Sequence, residues 1–240
     1  MRDVSIIFDV DWAPDAALRF TSDILKEHGV KSTWFLTHNS DEIKQLTTGD
    51  DLIEFGIHPN FLPDSTHGNN QEQILENTIK LIPETRLIRT HAYYFSSLLF
   101  KLIAEKTNIN IDLSIFQPHV QNIQAFNHFS SGRYIKRIPV FWEDDYEMKL
   151  PGQNWETNFD EISLPGLKVF AFHPIHILLN SISMEKYEAC LQHKKNFQSL
   201  TYDQLQPYIN NKHFGARNFL IELISKNNDD LQFNYVSDIQ

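Results

Sequence analysis

Apolar residues along this chain fall into short solid runs, separated by segments in which they recur every three to four positions. The runs at 4–10, 32–36, 52–57, 86–90, 111–115, 134–140 and 167–172 read as strands, and a last short one covers 231–236. Between them, 15–28, 41–48, 71–82 and 95–107 read as amphipathic helices. Leu18, Ile24 and Leu25 form the inner face of the first, and Gly29 is its stop. Asn69 or Asn70 caps the third. Further helices are predicted at 184–196, 202–209 and 216–226. Strands alternating with helices imply an α/β fold with a mainly parallel sheet or barrel. Two long loops break the pattern, at 117–133 and 143–165, and loops of that length are more often functional than idle. No repeat, low-complexity segment or linker is visible, so 1–240 reads as a single domain.

In parallel α/β architectures, ligands collect where strands end at their carboxyl side. The first strand brings Asp9 and Asp11 there, in "IIFDVDWAP". "EFGIHPNF" brings His58, and "IRTHAYY" brings Arg89 and His91. "FWEDD" contributes Glu143, Asp144 and Asp145, and "FAFHPIH" contributes His173 and His176. A cluster of Asp and His suits a borderline divalent metal, chiefly Zn²⁺. Three protein ligands with an open position mark a catalytic site, in which the metal activates water and a nearby carboxylate takes the proton. Residues i and i+2 of a strand share a face, so Asp9 and Asp11 can both look into such a site, one as ligand and one as base.

Composition narrows the function classes. Net charge is −10 with no basic run, against the positive footprint that nucleic acid needs. No apolar stretch reaches the roughly 18 residues of a membrane span, and no charged-then-apolar leader opens the chain. A cytoplasmic location is the default expectation. The single cysteine, Cys190, excludes an internal disulfide and reads as a small buried hydrophobe. Of the 11 histidines, His28, His38, His119, His128, His193 and His213 are read as surface or structural. Trp12 and Trp142 are read first as core aromatics and second as a sugar-stacking wall.

Taken together, the strand-end residues resemble the polysaccharide deacetylases (carbohydrate esterase family 4), and most of all their WbmS-like branch, associated with bacterial surface-polysaccharide synthesis. The resemblance spans residues 4–177. The family's opening Asp-Asp pair is split here as Asp9-Val10-Asp11, which implies Asp9 as base and Asp11 as metal ligand. The family's second motif has two histidines four apart; His58 fits, but Leu62 stands at the other position. The third, Arg-x-Pro-Tyr, is similar to Arg89-Thr90-His91-Ala92-Tyr93, so Arg89 orients the base. His91, in the place of the proline, is one candidate for the missing ligand, and His67 in "DSTHGNN" is the other. The family's arginine-tuning aspartate falls in "WEDD", with Asp144 preferred to Glu143. His173 matches the general acid, while His176 has no counterpart. The implied fold is a distorted (β/α) barrel with about seven mainly parallel strands, fewer than the eight-stranded form.

The resemblance implies a zinc-class, metal-dependent N-deacetylase of an acetylated sugar, with a lipid- or nucleotide-linked saccharide as substrate. Two alternatives remain at this point. "FDVDWAP" also resembles the Asp-x-Asp signature of haloacid-dehalogenase-type Mg²⁺-dependent phosphatases, although Ala13 stands where Thr or Val is usual. The missing second histidine also fits a catalytically inactive carbohydrate-binding relative.

Overall fold

The computed structural model describes residues 2–49, 51–152, 155, 162–192, 194–226 and 231–240. In chain order, β1 (Arg2–Asp9), α1 (Asp15–Glu27), β2 (Ser32–Leu36), α2 (Asp41–Gly49), β3 (Ile53–Ile57), α3 (Gln71–Ile79) and β4 (Leu87–Ile88) alternate strictly. α4 (Ser97–Lys106) and β5 (Ile111–Asp112) continue the alternation. The hairpin β6 (Phe126–Ser130) and β7 (Arg133–Arg137) follows, then β8 (Trp142–Glu143) and the short helix α5 (Asp144–Glu147). The chain closes with β9 (Val169–Phe172), α6 (Pro174–Leu179), α7 (Glu185–Leu191), α8 (Tyr202–Leu205), α9 (Ala216–Ile224) and β10 (Leu231–Phe233).

The sheet order is β6-β7-β5-β4-β3-β2-β1-β9-β8, with β10 beside the first residues of β1. All pairs are parallel except the β6–β7 hairpin. The sheet curls because the stretch joining β7 to β8 bonds on both sides. Ile138 donates to Asp112 and Val140 to Ile115, at 2.9 and 2.8 Å, while Phe141 donates to Val169 at 3.0 Å. The alternation implied a mainly parallel sheet or barrel, and this is the distorted barrel that the resemblance implied.

The interior of the barrel is an apolar plug: Ile7, Phe35, Leu87, Leu113, Ile138, Val140, Val169 and Ala171. Gly56 on β3 makes room for it, since a Cβ there would lie 2.6 Å from the Phe35 ring. The outer faces of β1, β2 and β9 pack Ile6, Phe8, Trp34, Phe170 and Phe172 against the helices. Trp142 and Phe219 stack at 4.7 Å in that layer, so Trp142 is a core aromatic.

The structure departs from the sequence pattern in four places. The loop expected at 117–133 contains β6. Its exposed Phe126 and Phe129 alternate with Asn, His and Ser, so no buried apolar face announced a strand. The loop at 143–165 opens with the helical turn α5. Helix α6 follows β9 directly with Pro174 at its first turn, and all six residues are buried, so it carries no amphipathic period. The helix expected at 184–196 ends at Leu191, and a 3₁₀ segment runs over Lys194–Ser199; His193 lies outside the described residues. Cys190 is buried and free, as its setting suggested.

Candidate metal centre and active site

The polar cluster is the next layer of the barrel interior. Side chains two positions apart on a strand point to the same face. Asp9 therefore follows Ile7 inward, His58 follows Gly56, Arg89 follows Leu87, and His173 follows Ala171. Each caps the apolar plug at the carboxyl ends of the parallel strands, and all four are buried.

Asp11 arrives by a different route. β1 ends at Asp9, and Asp11 and Trp12 take left-handed backbone conformations with φ of 43° and 55°. The turn, and not the strand's pleat, swings the Asp11 carboxylate back over the cluster. Left-handed non-glycine residues are strained and persist where the surroundings fix them. Here the Trp12 amide donates to Thr37 Oγ1 at 2.9 Å. A second left-handed pair, Ala92 and Tyr93, shapes the turn that carries His91.

Three side chains converge on Asp11. His58 Nε2 and His91 Nδ1 each lie 3.1 Å from its Oδ1, and His173 Nε2 lies 3.6 Å from its Oδ2. The donor atoms of Asp11, His58 and His91 all fall within 4.8 Å of one another. His58 Nδ1 donates to the Arg89 carbonyl at 2.7 Å, which turns its Nε2 toward Asp11. Burial pushes the Asp11 carboxyl up, but hydrogen bonds and charge from His58 and His91 outweigh it and hold the group well below the usual carboxylate range. For His91, burial lowers the pKa, and the Asp11 contact more than reverses this. His67 sits apart from the triad. Its Nδ1 accepts from the Asn60 amide at 3.0 Å and its Nε2 donates to the Thr37 carbonyl at 2.8 Å, so both ring nitrogens are committed to backbone.

Arg89 organises the opposite side. Its Nε donates to both oxygens of Asp9 at 2.8 and 2.7 Å, and its Nη1 donates to the Leu113 carbonyl at 3.1 Å. Its Nη2 reaches Glu143 at 2.7 Å and the Tyr93 hydroxyl at 2.8 Å, and that hydroxyl in turn donates to Glu143 at 2.9 Å. Burial drives the Glu143 carboxyl up to about 8 in spite of the guanidinium, which it shares with Asp9. The arginine's second acid is thus Glu143, where Asp144 was expected. Successive residues point to different sides, and the sequence held three acids in a row.

Asp144 instead grips His173. Its Oδ1 accepts from His173 Nδ1 at 2.7 Å and its Oδ2 accepts from the His173 amide at 2.9 Å. Burial opposes charge on His173, but Asp144 first, then Asp11 and Asp145, raise its pKa well above the ordinary value. His176 lies behind, bonded to Ser181 at 3.1 Å, and burial lowers it to about 4, so it is neutral. Tyr93 and Glu143 stood in motifs the sequence singled out, but their hydrogen bonds to Arg89 were not foreseen.

A cavity of about 390 Å³ opens onto Asp9, Asp11, His58, His91 and His173, with Tyr146 and Lys149 at its edge. A carboxylate held by a guanidinium on one side of a potential ligand triad, and an imidazolium on the other, can accept one proton and donate another. No helix among the described residues is long and apolar enough to cross a membrane.

The family model for the WbmS-like polysaccharide deacetylases matches residues 6–191. Among solved structures, Bordetella bronchiseptica WbmS, described as a polysaccharide deacetylase involved in O-antigen biosynthesis, is 29% identical. The match covers 93% of this chain and 90% of that one, with a TM-score of 0.80. The Xyl-CE4 domain of a multidomain xylanase from the hindgut metagenome of Trinervitermes trinervoides is 14% identical, over 99% of this chain and 88% of that one, with a TM-score of 0.49. No curated protein matches the chain.

Proposed function

Because the chain belongs to the WbmS-like polysaccharide deacetylase family, we propose that it is a metal-dependent hydrolase that removes an N-acetyl group from a sugar in the assembly of a bacterial surface polysaccharide. The observation that carries this is the Asp11–His58–His91 triad, set between the Arg89-bound Asp9 and the Asp144-bound His173. The likeness to WbmS supports O-antigen or capsule assembly as the setting. Family membership disfavours the phosphatase alternative.

The residues present fit a divalent ion. Two imidazole nitrogens and one carboxylate oxygen match a zinc-class donor set, and the His58 Nδ1–H bond to a carbonyl is the outer contact that aims such a ligand. Bound there, the ion supplies Lewis-acid polarisation of a carbonyl and of water. Asp9, held in place by Arg89, accepts the proton of the attacking water. His173 Nε2, which faces Asp11, donates a proton to the departing amine nitrogen as the C–N bond breaks. The products are acetate and the free amino sugar.

The test is elemental analysis of the purified protein together with acetate release from N-acetylated amino sugars, free, nucleotide-linked and lipid-linked. About one equivalent of zinc or another transition metal is expected, lost with Asp11→Ala and His91→Ala and kept with His67→Ala. A parent protein that takes up no metal after zinc incubation, or that carries metal yet releases no acetate, overturns the proposal in favour of a sugar-binding relative.

A further inference from the structure

The hairpin β6–β7 stands outside the chemistry above. It ends the sheet, and β6 has β7 alone as a strand neighbour. Ser131 and Gly132, both left-handed with φ of 47° and 81°, make its two-residue turn. The pair that flanks such a turn, Ser130 with Arg133, is hydrogen-bonded, and bonded pairs alternate along the ladder. Ser130, His128 and Phe126 therefore direct their backbone groups to β7. Asn127 and Phe129 turn their N–H and C=O groups to the open edge, and among the described residues no backbone group bonds to them there.

Proteins commonly block such an edge with a charge, a proline or a bulge. β6 reads Phe-Asn-His-Phe-Ser and pairs without interruption, so it has none of these. Its rings are open to solvent: Phe126 by 46%, Phe129 by 60%, and Tyr134, across from Phe129 on β7, by 64%. The Phe129 and Tyr134 rings lie 5.1 Å apart. Phe95, 43% exposed, lies beside His128. These four leave on the order of 400 Å² of ring surface open. That is about half of the roughly 800 Å² that one partner gives to a standard interface. The edge backbone, Asn127 and Ser130 add to it.

A second copy of the chain fits this edge better than a membrane. β7 runs parallel to β5, and β5 to β4, so the turn at its start lies at the end of the barrel away from the metal-site residues. A lipid surface met there would hold the active site away from its headgroups. The net charge of −10 also opposes an anionic surface. The bases of β7 do not offset this, since Lys136 is bonded to the Ile239 carbonyl and Arg133 to the Ala104 carbonyl. Two copies that meet along an uncharged strand bring no like charges face to face.

We propose that the chain dimerises by antiparallel pairing of β6 with β6 of a second copy, about a two-fold axis at His128. The register that uses both outward residues pairs Asn127 of each copy with Phe129 of the other, each pair exchanging both of its N–H···O bonds. The two Phe129 rings become diagonal neighbours and join the Tyr134 rings in one apolar strip. A two-fold contact uses the edge of both copies and stops at two. Antiparallel pairing points the two active-site mouths in opposite directions. The dimer does not depend on the deacetylase reading.

The experiment is sedimentation velocity of the purified full chain. The parent should sediment as two chains at micromolar concentration. Asn127→Pro removes an N–H that the single chain does not use, and Phe129→Glu puts like charges on both facing edges. Each should weaken dimerisation at least about tenfold, with the circular-dichroism spectrum of the parent kept. His128→Cys should form a disulfide between copies on oxidation, because residues facing each other in a non-hydrogen-bonded pair lie about 4.5 Å apart at Cα, within disulfide reach. Buried Cys190 gives the parent no such link. If Phe129→Glu unfolds the chain, Asn127→Pro and the cross-link decide. A parent that sediments as one chain overturns the proposal, as does a dimer that survives the substitutions unweakened or a His128→Cys dimer that never cross-links. A single chain that instead binds phosphatidylglycerol vesicles through Phe129 overturns it in favour of the membrane.

Discussion

His58 and His173 end two parallel strands of one barrel, each buried, each at an inward position and each followed by proline. Both ring Nδ1 atoms have a hydrogen-bond partner at 2.7 Å. The partner differs. For His58 it is the Arg89 carbonyl, an uncharged acceptor that takes the Nδ1 proton and turns Nε2 toward Asp11, where the proposed ion would bind. For His173 it is the Asp144 carboxylate, whose charge overcomes burial and keeps a proton on both nitrogens. In the proposed reaction the same His-Pro step serves as a ligand in one place and an acid in the other. The acceptor behind the ring decides which, and that acceptor comes from another part of the chain.

The strongest way to break this comparison is to remove each ring. His58→Ala should lose metal and acetate release together. His173→Ala should keep the metal while release falls about 10²–10⁴-fold, the usual loss of a general acid. Elemental analysis beside the rate measurement reads both, and a His173→Ala protein without metal would erase the distinction.

A smaller change converts one acceptor toward the other. Asp144→Asn removes the charge that does most to raise the His173 pKa, so that pKa should fall. The reaction needs the protonated ring, so the alkaline limb of the pH–rate profile should move to lower pH. NMR titration of the imidazole in zinc-free protein checks the cause. Stability follows the same sign. A histidine with a raised folded pKa contributes fully below its unfolded value of about 6.5, and the contribution fades as pH rises through the folded value. Asp144→Asn should weaken that pH dependence.

The smallest effect concerns the acid that Arg89 shares with Asp9. Glu143 rises from 4.5 to about 8, so the folded protein holds this proton more tightly than the unfolded chain. Its contribution to stability is complete below 4.5 and declines as pH rises toward about 8. Glu143→Gln keeps the shape and should flatten the denaturation midpoint across that window. An unchanged slope would show that Arg89 holds Glu143 ionised.

Much of this was legible beforehand because barrel strands obey a two-residue period. Once 4–10, 52–57, 86–90 and 167–172 read as strands, the inward position at or just past the end of each was an Asp, His or Arg, and those residues meet at the rim. The choice between Glu143 and Asp144 was not legible, because neighbours in a short strand-to-helix step point to opposite sides and both are acids. Nor was the position of Asp11, since the i and i+2 rule applied to it ends with the strand at Asp9. The choice between His67 and His91 depended on where the ring nitrogens find partners, which no spacing encodes.

Local pattern and residue type therefore settled the alternation of strands and helices, the parallel barrel and the collection of acids and histidines at one end, because periodicity and burial are properties of neighbours in the chain. Partnerships across long separations settled the rest. Asp9 with Arg89, Arg89 with Glu143, and Asp144 with His173 are contacts 80, 54 and 29 residues apart. Which acid meets which cation sets the charge of each ring, and only the closed barrel brings those pairs within a hydrogen bond.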